Sequence, residues 1–206
     1  MEWLYSKDLV TYEVAEKVMQ DRVVSIQIQD RRELIWGLQH PPLFTAGTSS
    51  HESDLLDTFG FPVYQTGRGG KFTYHGPGQL VVYVMIDLNK HGLDIRQYVA
   101  TLENWIIDCL KHLDIHAERR EGRIGIWVQN PRGQDEKIAA IGVRVTKGIT
   151  WHGMAINVSP NLSHFGGIVP CGLAEFGVIS MAKLGGQVEI QDVFQVLKEI
   201  SPFKIT

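Results

Sequence analysis

Leu80, Val81, Val82, Tyr83, Val84, Met85 and Ile86 form an unbroken apolar run of strand length. A strand with one wet face alternates polar and apolar residues, so a run without alternation predicts a strand covered on both faces. Such a strand needs packed layers above and below it, which restricts the chain to layered architectures. The rest of the pattern supplies the layers. Tyr12, Ala15 and Met19 at helical spacing predict a helix over 8–19, and 23–28 and 33–38 read as short strands about a polar turn, the second stopped by His40-Pro41-Pro42. Asp94 with Gln97 three residues on is a capping box, and Val99, Leu102, Ile106, Leu110 and Leu113 make the apolar stripe of the helix it opens. Further strands are expected over 124–128, 138–145 and 149–158. Lys147-Gly148 turns the last two into a hairpin, and a closing helix is expected over 191–200. The expectation is one α+β (α/β) domain over 1–206, an antiparallel or mixed sheet flanked by helices.

Composition narrows the function. A net charge of −3 and a pI near 6.2 argue against a nucleic-acid-coating protein. The acidic start around Glu2 and Asp8 is unlike a secretion signal, and no apolar stretch is long enough to span a membrane. Two cysteines, Cys109 and Cys171, fit free thiols in a reducing compartment, so a soluble cytoplasmic protein is expected. The eight histidines are scattered without ligand spacing, and no metal or cofactor is expected.

Chemistry concentrates in four segments. Five of the 21 glycines fall in residues 67–78, where Arg68, Gly69, Gly70, Lys71, Phe72, Thr73, Tyr74 and His75 precede Gly76-Pro77-Gly78. Lys71 is followed by Phe72, so this is no Walker loop, and the dinucleotide fingerprint fails at the same position. It reads either as an exposed glycine turn or as a loop whose backbone approaches a ligand. Cys171, between Pro170 and Gly172, lies outside any helical or strand period, unlike Cys109, which sits beside a helical stripe as a small core residue. A reactive thiol needs a cation or base beside it, and Lys137, His75, His152 and His164 are the candidates. Lys137 opens a strand and, on pattern alone, reads as a surface residue. Arg119, Arg120 and Arg123 read as a solvated face or as a patch for an acidic partner.

Together these segments closely resemble the lipoyl(octanoyl) transferase family. The resemblance rests on residues 68–79, on Lys137-Ile138-Ala139-Ala140-Ile141-Gly142, on His152-Gly153-Met154-Ala155-Ile156-Asn157 and on Pro170-Cys171-Gly172, in the family's order and spacing from about Pro41 to Gly185. It implies the fold shared by biotin protein ligases and lipoate–protein ligases. It also implies transfer of an octanoyl group from octanoyl-acyl carrier protein to the lysine of lipoyl domains. The acceptors would be the E2 subunits of 2-oxoacid dehydrogenases and the glycine-cleavage H protein. By that resemblance Cys171 carries the acyl thioester and Lys137 activates it. Arg68 to His75, Ala140, Ile141, Gly142, His152, Gly153, Met154 and Ala155 line the acyl pocket. Thioester exchange needs no ATP, in keeping with the missing Walker loop. The small residues among these would leave a narrow apolar tunnel. Competing readings are an ATP-dependent lipoate or biotin ligase of the same fold, a non-catalytic acyl-carrier-binding module, and a Cys–His hydrolase.

Overall fold

The computed structural model describes residues 1–130, 132–169 and 176–203. Its main sheet has eight strands, in the order β1 (Glu2–Leu9), β2 (Leu34–Gln39), β6 (Gln79–Met85), β10 (Ile149–Asn157), β9 (Asp135–Thr146), β8 (Arg123–Gln129) and β7 (Glu118–Arg120), with β11 (Gly177–Val178) also on β9. β1–β2 and β9–β11 are parallel and the rest antiparallel, so the sheet is mixed. The run read as doubly covered is β6, buried at every residue between β2 and β10. α2 (Ile95–His112) and α3 (Ile190–Glu199) cover one face, and α1 (Tyr12–Gln27) covers the other. A small second sheet, in the order β4 (Val63–Gln65), β3 (Leu43–Ala46), β5 (Thr73–His75), carries its own apolar cluster around Phe44, Tyr74 and Phe165.

The capping box of α2 is present in both directions, Gln97 N–H to Asp94 at 2.8 Å and Asp94 N–H to Gln97 at 2.9 Å. At the β9–β10 hairpin both Lys147 and Gly148 have positive φ, 51° and 81°, so the lysine shares the left-handed geometry expected of the glycine alone.

Two expectations at the N-terminus fail. Residues 23–28 are not a strand: Val23 and Ile26 extend the stripe of Tyr12, Ala15 and Met19, and the helix runs on to Gln27. Packing on the sheet outweighs the β-branched preference of that segment. The helix expected from residue 8 starts only at Tyr12: Asp8 and Leu9 end the edge strand β1, whose Trp3 and Tyr5 are turned toward Phe194 of α3. Among the described residues no helix is long and apolar enough to cross a membrane.

Candidate active site

A cavity of about 360 Å³ is walled by β6, β9 and β10 and by the glycine-rich segment ahead of β5, with Tyr12 of α1 and Val99 of α2 also lining it. That segment is pinned onto the sheet where Gly69 N–H donates to the Val143 carbonyl at 2.9 Å. Glycine is required at such crossings for lack of room: a Cβ on Gly47 would lie 2.2 Å from the Gly70 carbonyl oxygen, and one on Gly153 would lie 2.2 Å from that of Val82. The glycines thus bring backbones together, and the cavity is what remains between them.

Lys137 sits at one end. It is 6% exposed, which overturns the surface reading. Two features of β9 put it there. One extra β9 residue falls between the Ile126–Ala139 and Trp127–Lys137 pairs, a β-bulge that re-phases the strand immediately after the lysine. On the other side β9 exchanges its neighbour, from β10, which pairs with it as far as Ala139, to β11, where Val178 pairs with Lys137. Lys137 Nζ donates to the Ile124 carbonyl at 3.0 Å and lies 4.6 Å from the centre of the Trp127 ring. Gly125 leaves space for its stem, since a Cβ there would stand 3.2 Å from Lys137 Cε.

Beyond Lys137 the wall is polar. His75 Nδ1 meets Gln79 Oε1 at 2.6 Å, Gln79 Nε2 donates to Asn157 Oδ1 at 3.0 Å, and Asn157 Nδ2 donates to the Ile179 carbonyl at 3.1 Å. This chain ties the end of β10 to Ile179, the residue that follows β11. At the other end Tyr12 Oη lies 3.2 Å from His152 Nε2, and Tyr83 Oη lies 2.7 Å from His40 Nε2. Buried Arg68 donates to the Thr45 hydroxyl and carbonyl and to the Gly69 carbonyl. Burial holds all three of these histidines neutral: it lowers His40 to about 4, and His75 and His152 to about 3, the latter with help from Arg68 and Arg144.

The lipoyl protein ligase A/B catalytic domain family matches residues 12–200. Octanoyltransferase of Paramagnetospirillum magneticum is 52% identical over 193 residues, 94% of this chain and 91% of that protein. Octanoyltransferase of a Wolbachia pipientis strain is 50% identical over 96% of both chains. The chain belongs to the octanoyltransferase family. It is an enzyme, and its chemistry is acyl transfer in lipoate biosynthesis. The fold is that of lipoate protein ligases: a bi-partite lipoate protein ligase from Thermoplasma acidophilum superposes with a TM-score of 0.71 at 18% identity, over 95% of this chain and 80% of that one.

Most residues assigned to this family's acyl pocket by resemblance do meet at the cavity. Arg68, Gly69, Gly70, Lys71, Phe72, Thr73 and His75 line it, as do Ala140, Ile141, Gly142, His152, Gly153, Met154, Ala155 and Lys137. Tyr74 does not. It points into the small-sheet cluster, where its hydroxyl meets His164 Nδ1 at 2.8 Å, because alternation along β5 turns it away from its neighbours Thr73 and His75. Cys171 lies outside the described residues, as does Gly172; the described chain on either side, at Phe165 and Val178, lines the cavity. Sequence reasoning missed Tyr12, Gln79, Val81 and Tyr83, which also line it. The period-two spacing of 79, 81 and 83 within the apolar run was the available signal. Apolar surface still predominates in the lining, as expected of a tunnel walled by small residues.

The arginine patch is also accounted for internally. Arg119 pairs with Glu103 at 2.8 Å, Arg120 makes a two-pronged pair with Asp135 at 2.8 Å, and Arg123 lies 3.3 Å from the same carboxylate. With these carboxylates interleaved, the three cations offer an acidic partner little net field. Cys109 is fully buried against the Val193 carbonyl, and burial pushes its thiol up to about 12, so it is a core residue as read.

Proposed function

We propose that this chain moves an octanoyl group from octanoyl-acyl carrier protein to the lysine of lipoyl domains through a thioester on Cys171, with Lys137 as its activating partner. The observation that carries the reading is the burial of Lys137 at the end of the cavity. There β11 pairs with it seven residues after Cys171 and the cavity is bordered by chain on both sides of that cysteine.

In the first step the Cys171 thiolate attacks the carbonyl carbon of the donor thioester. The new C–S bond replaces the one to the carrier, whose sulfur leaves as thiolate and takes up the proton given up by Cys171. In the second step the neutral acceptor amine attacks the same carbon. An amide forms, the bond to Cys171 breaks, and the amine's proton returns to the sulfur. A thioester becomes a thioester and then an amide, so no nucleotide has to supply energy. Lys137 serves both steps, as a cation beside the thiolate and as a carrier of the proton passing between sulfur and amine. The lipoyl-domain acceptor draws support from the Thermoplasma acidophilum lipoate protein ligase of like fold, which belongs to a lipoylation system with its E2 lipoyl domain. One catalytic domain over 1–206 is in keeping with the reach of the family match.

Intact-mass analysis of the full chain with octanoyl-acyl carrier protein tests this. One octanoyl adduct, mapped to Cys171 and lost on adding a lipoyl domain, is expected. An unmodified chain, or transfer that requires ATP and survives Cys171→Ser, would overturn it in favour of a ligase.

A further inference from the structure

The proton on the His75 ring is placed by groups that have no choice of their own. A backbone carbonyl only accepts, so the Asn157 atom 3.1 Å from the Ile179 carbonyl is Nδ2, and Oδ1 faces Gln79. Gln79 therefore turns Nε2 to Asn157 at 3.0 Å, and the same nitrogen reaches a second carbonyl, that of Tyr74, at 3.3 Å. Its Oε1 is left for His75 Nδ1 at 2.6 Å. An amide oxygen accepts, so Nδ1 carries the proton. Burial and the neighbouring His40 keep the ring from taking a second one, holding it at about 3. Nε2 is then a bare lone pair. It has no partner among the described residues, and it belongs to a ring that lines the cavity.

This lone pair borders the Lys137 end. Gln79 pairs with Asn157 across the β6–β10 ladder, Ile156 beside it pairs with Ala139, and Lys137 lies two residues before Ala139. Gln79 and Lys137 are thus separated by β10 alone, two strand spacings or about 10 Å of backbone. The Ile179 carbonyl that anchors the amides belongs to the residue whose N–H donates to the Lys137 carbonyl, at 3.0 Å. What such an acceptor can hold follows from the groups that meet in the proposed reaction. The acyl carbonyl and the thiolate are themselves acceptors, and the hydrocarbon chain offers no donor. The attacking amine does: its lone pair goes to the carbonyl carbon, and its N–H bonds are left in need of acceptors.

We infer that His75 Nε2 is the acceptor for an N–H of the incoming primary amine, and that Gln79, itself oriented by Asn157, is the positioning residue that keeps the ring proton on Nδ1. The inference rests on the proposed acyl-transfer reading for the identity of the amine. His75 orients the amine without taking its proton, which passes through Lys137 to the sulfur. The first step brings no N–H to the acyl carbon and does not use this nitrogen.

Half-reactions measured separately test this. His75→Phe is expected to form the octanoyl adduct within about threefold of the wild-type rate yet to pass it to a lipoyl domain about tenfold or more slowly, the worth of one hydrogen bond to a group gaining charge. His75→Gln, which keeps an acceptor, is expected to recover most of that loss. A merely structural role would slow both steps alike. That result, or an unchanged second step, overturns the proposal. Nitrogen NMR of the wild-type chain at neutral pH is expected to show His75 protonated at Nδ1 and bare at Nε2, and Gln79→Met is expected to populate the other tautomer. A wild-type ring protonated at Nε2 overturns the acceptor, and a tautomer unmoved by Gln79→Met overturns the positioning role. Thermal shifts with N-butyloctanamide, a mimic of an octanoylated lysine, and with its N-methyl counterpart need no transfer. Greater stabilisation by the secondary amide, lost in His75→Phe, supports the acceptor even if no adduct forms, an outcome that would defeat only the acyl-transfer reading. Equal stabilisation of the wild-type chain by the two amides overturns the acceptor.

Discussion

The Lys137 ammonium lies 4.6 Å from the centre of the Trp127 ring, two side chains directly opposed across the β8–β9 ladder. The same ring meets Phe176 edge-on at 5.5 Å, and Arg123 lies over Phe176 at 4.2 Å. Trp127 is therefore a shared floor under the lysine and under the chain that resumes after the Cys171 segment. An aromatic face attracts a cation without bringing a carboxylate into a site that must also accommodate a thiolate.

Replacing Trp127 by alanine removes that floor. Trp127→Ala is expected to cost about 3–5 kcal/mol of stability in urea unfolding, and to slow acyl transfer in the fraction that stays folded. Trp127→Phe, which keeps a ring under the ammonium, is expected to lose less of both. Equal transfer rates in the two variants would remove the positioning role.

Lys137→Ala should fold, since the stem it removes lies over a glycine, yet acquire its octanoyl adduct some 10²–10⁴-fold more slowly, the usual worth of a positioned acid–base group. Lys137→Arg keeps a cation but not a proton carrier at neutral pH. Rates of adduct formation and of its transfer to the acceptor, measured separately, show which step needs which property.

The two thiols should differ sharply. Brief iodoacetamide treatment of the native chain, followed by peptide mapping, is expected to label Cys171 and spare Cys109, whose thiol is buried and pushed up to about 12. Cys109→Ala should keep the octanoyl adduct. Labelling of Cys109 at a comparable rate would contradict its core placement.

Stability should fall in mild acid. His40, His75 and His152 are held neutral, at about 4, 3 and 3, whereas in the unfolded chain they take protons near 6.5. Between these values the unfolded state binds more protons, so the stabilisation is complete above about pH 6.5 and is lost as pH drops toward 4 for His40 and toward 3 for His75 and His152, by up to about 1.4 kcal/mol per pH unit for each histidine. Urea midpoints that hold steady from pH 7.5 to 5 would rule out this burial of neutral rings.

Where sequence reading succeeded, local signals and burial agreed. The capping box of α2, the turn at Lys147-Gly148 and the unalternating run of β6 each express a rule that neighbouring residues satisfy among themselves. It failed at residues 23–28, whose β-branched side chains were recruited into α1 by the sheet beneath them, and it could not supply the ion-pair partners of Arg119, Arg120 and Arg123, which come from separate elements. Tyr74 was placed in the pocket wall because it lies among residues that are there. Strand alternation, which a resemblance does not carry, turned it away.

By itself the sequence determined the family, the layered α+β plan and the four segments that meet at the cavity, because these are written in contiguous residues. Only the tertiary structure decided what those segments do to one another. A one-residue bulge and an exchange of neighbouring strands bury Lys137 on an aromatic face. Tyr12 and His152, 140 residues apart, meet across the cavity. Such relations depend on register and on chain crossings, which residues distant in the sequence fix jointly and no local pattern records.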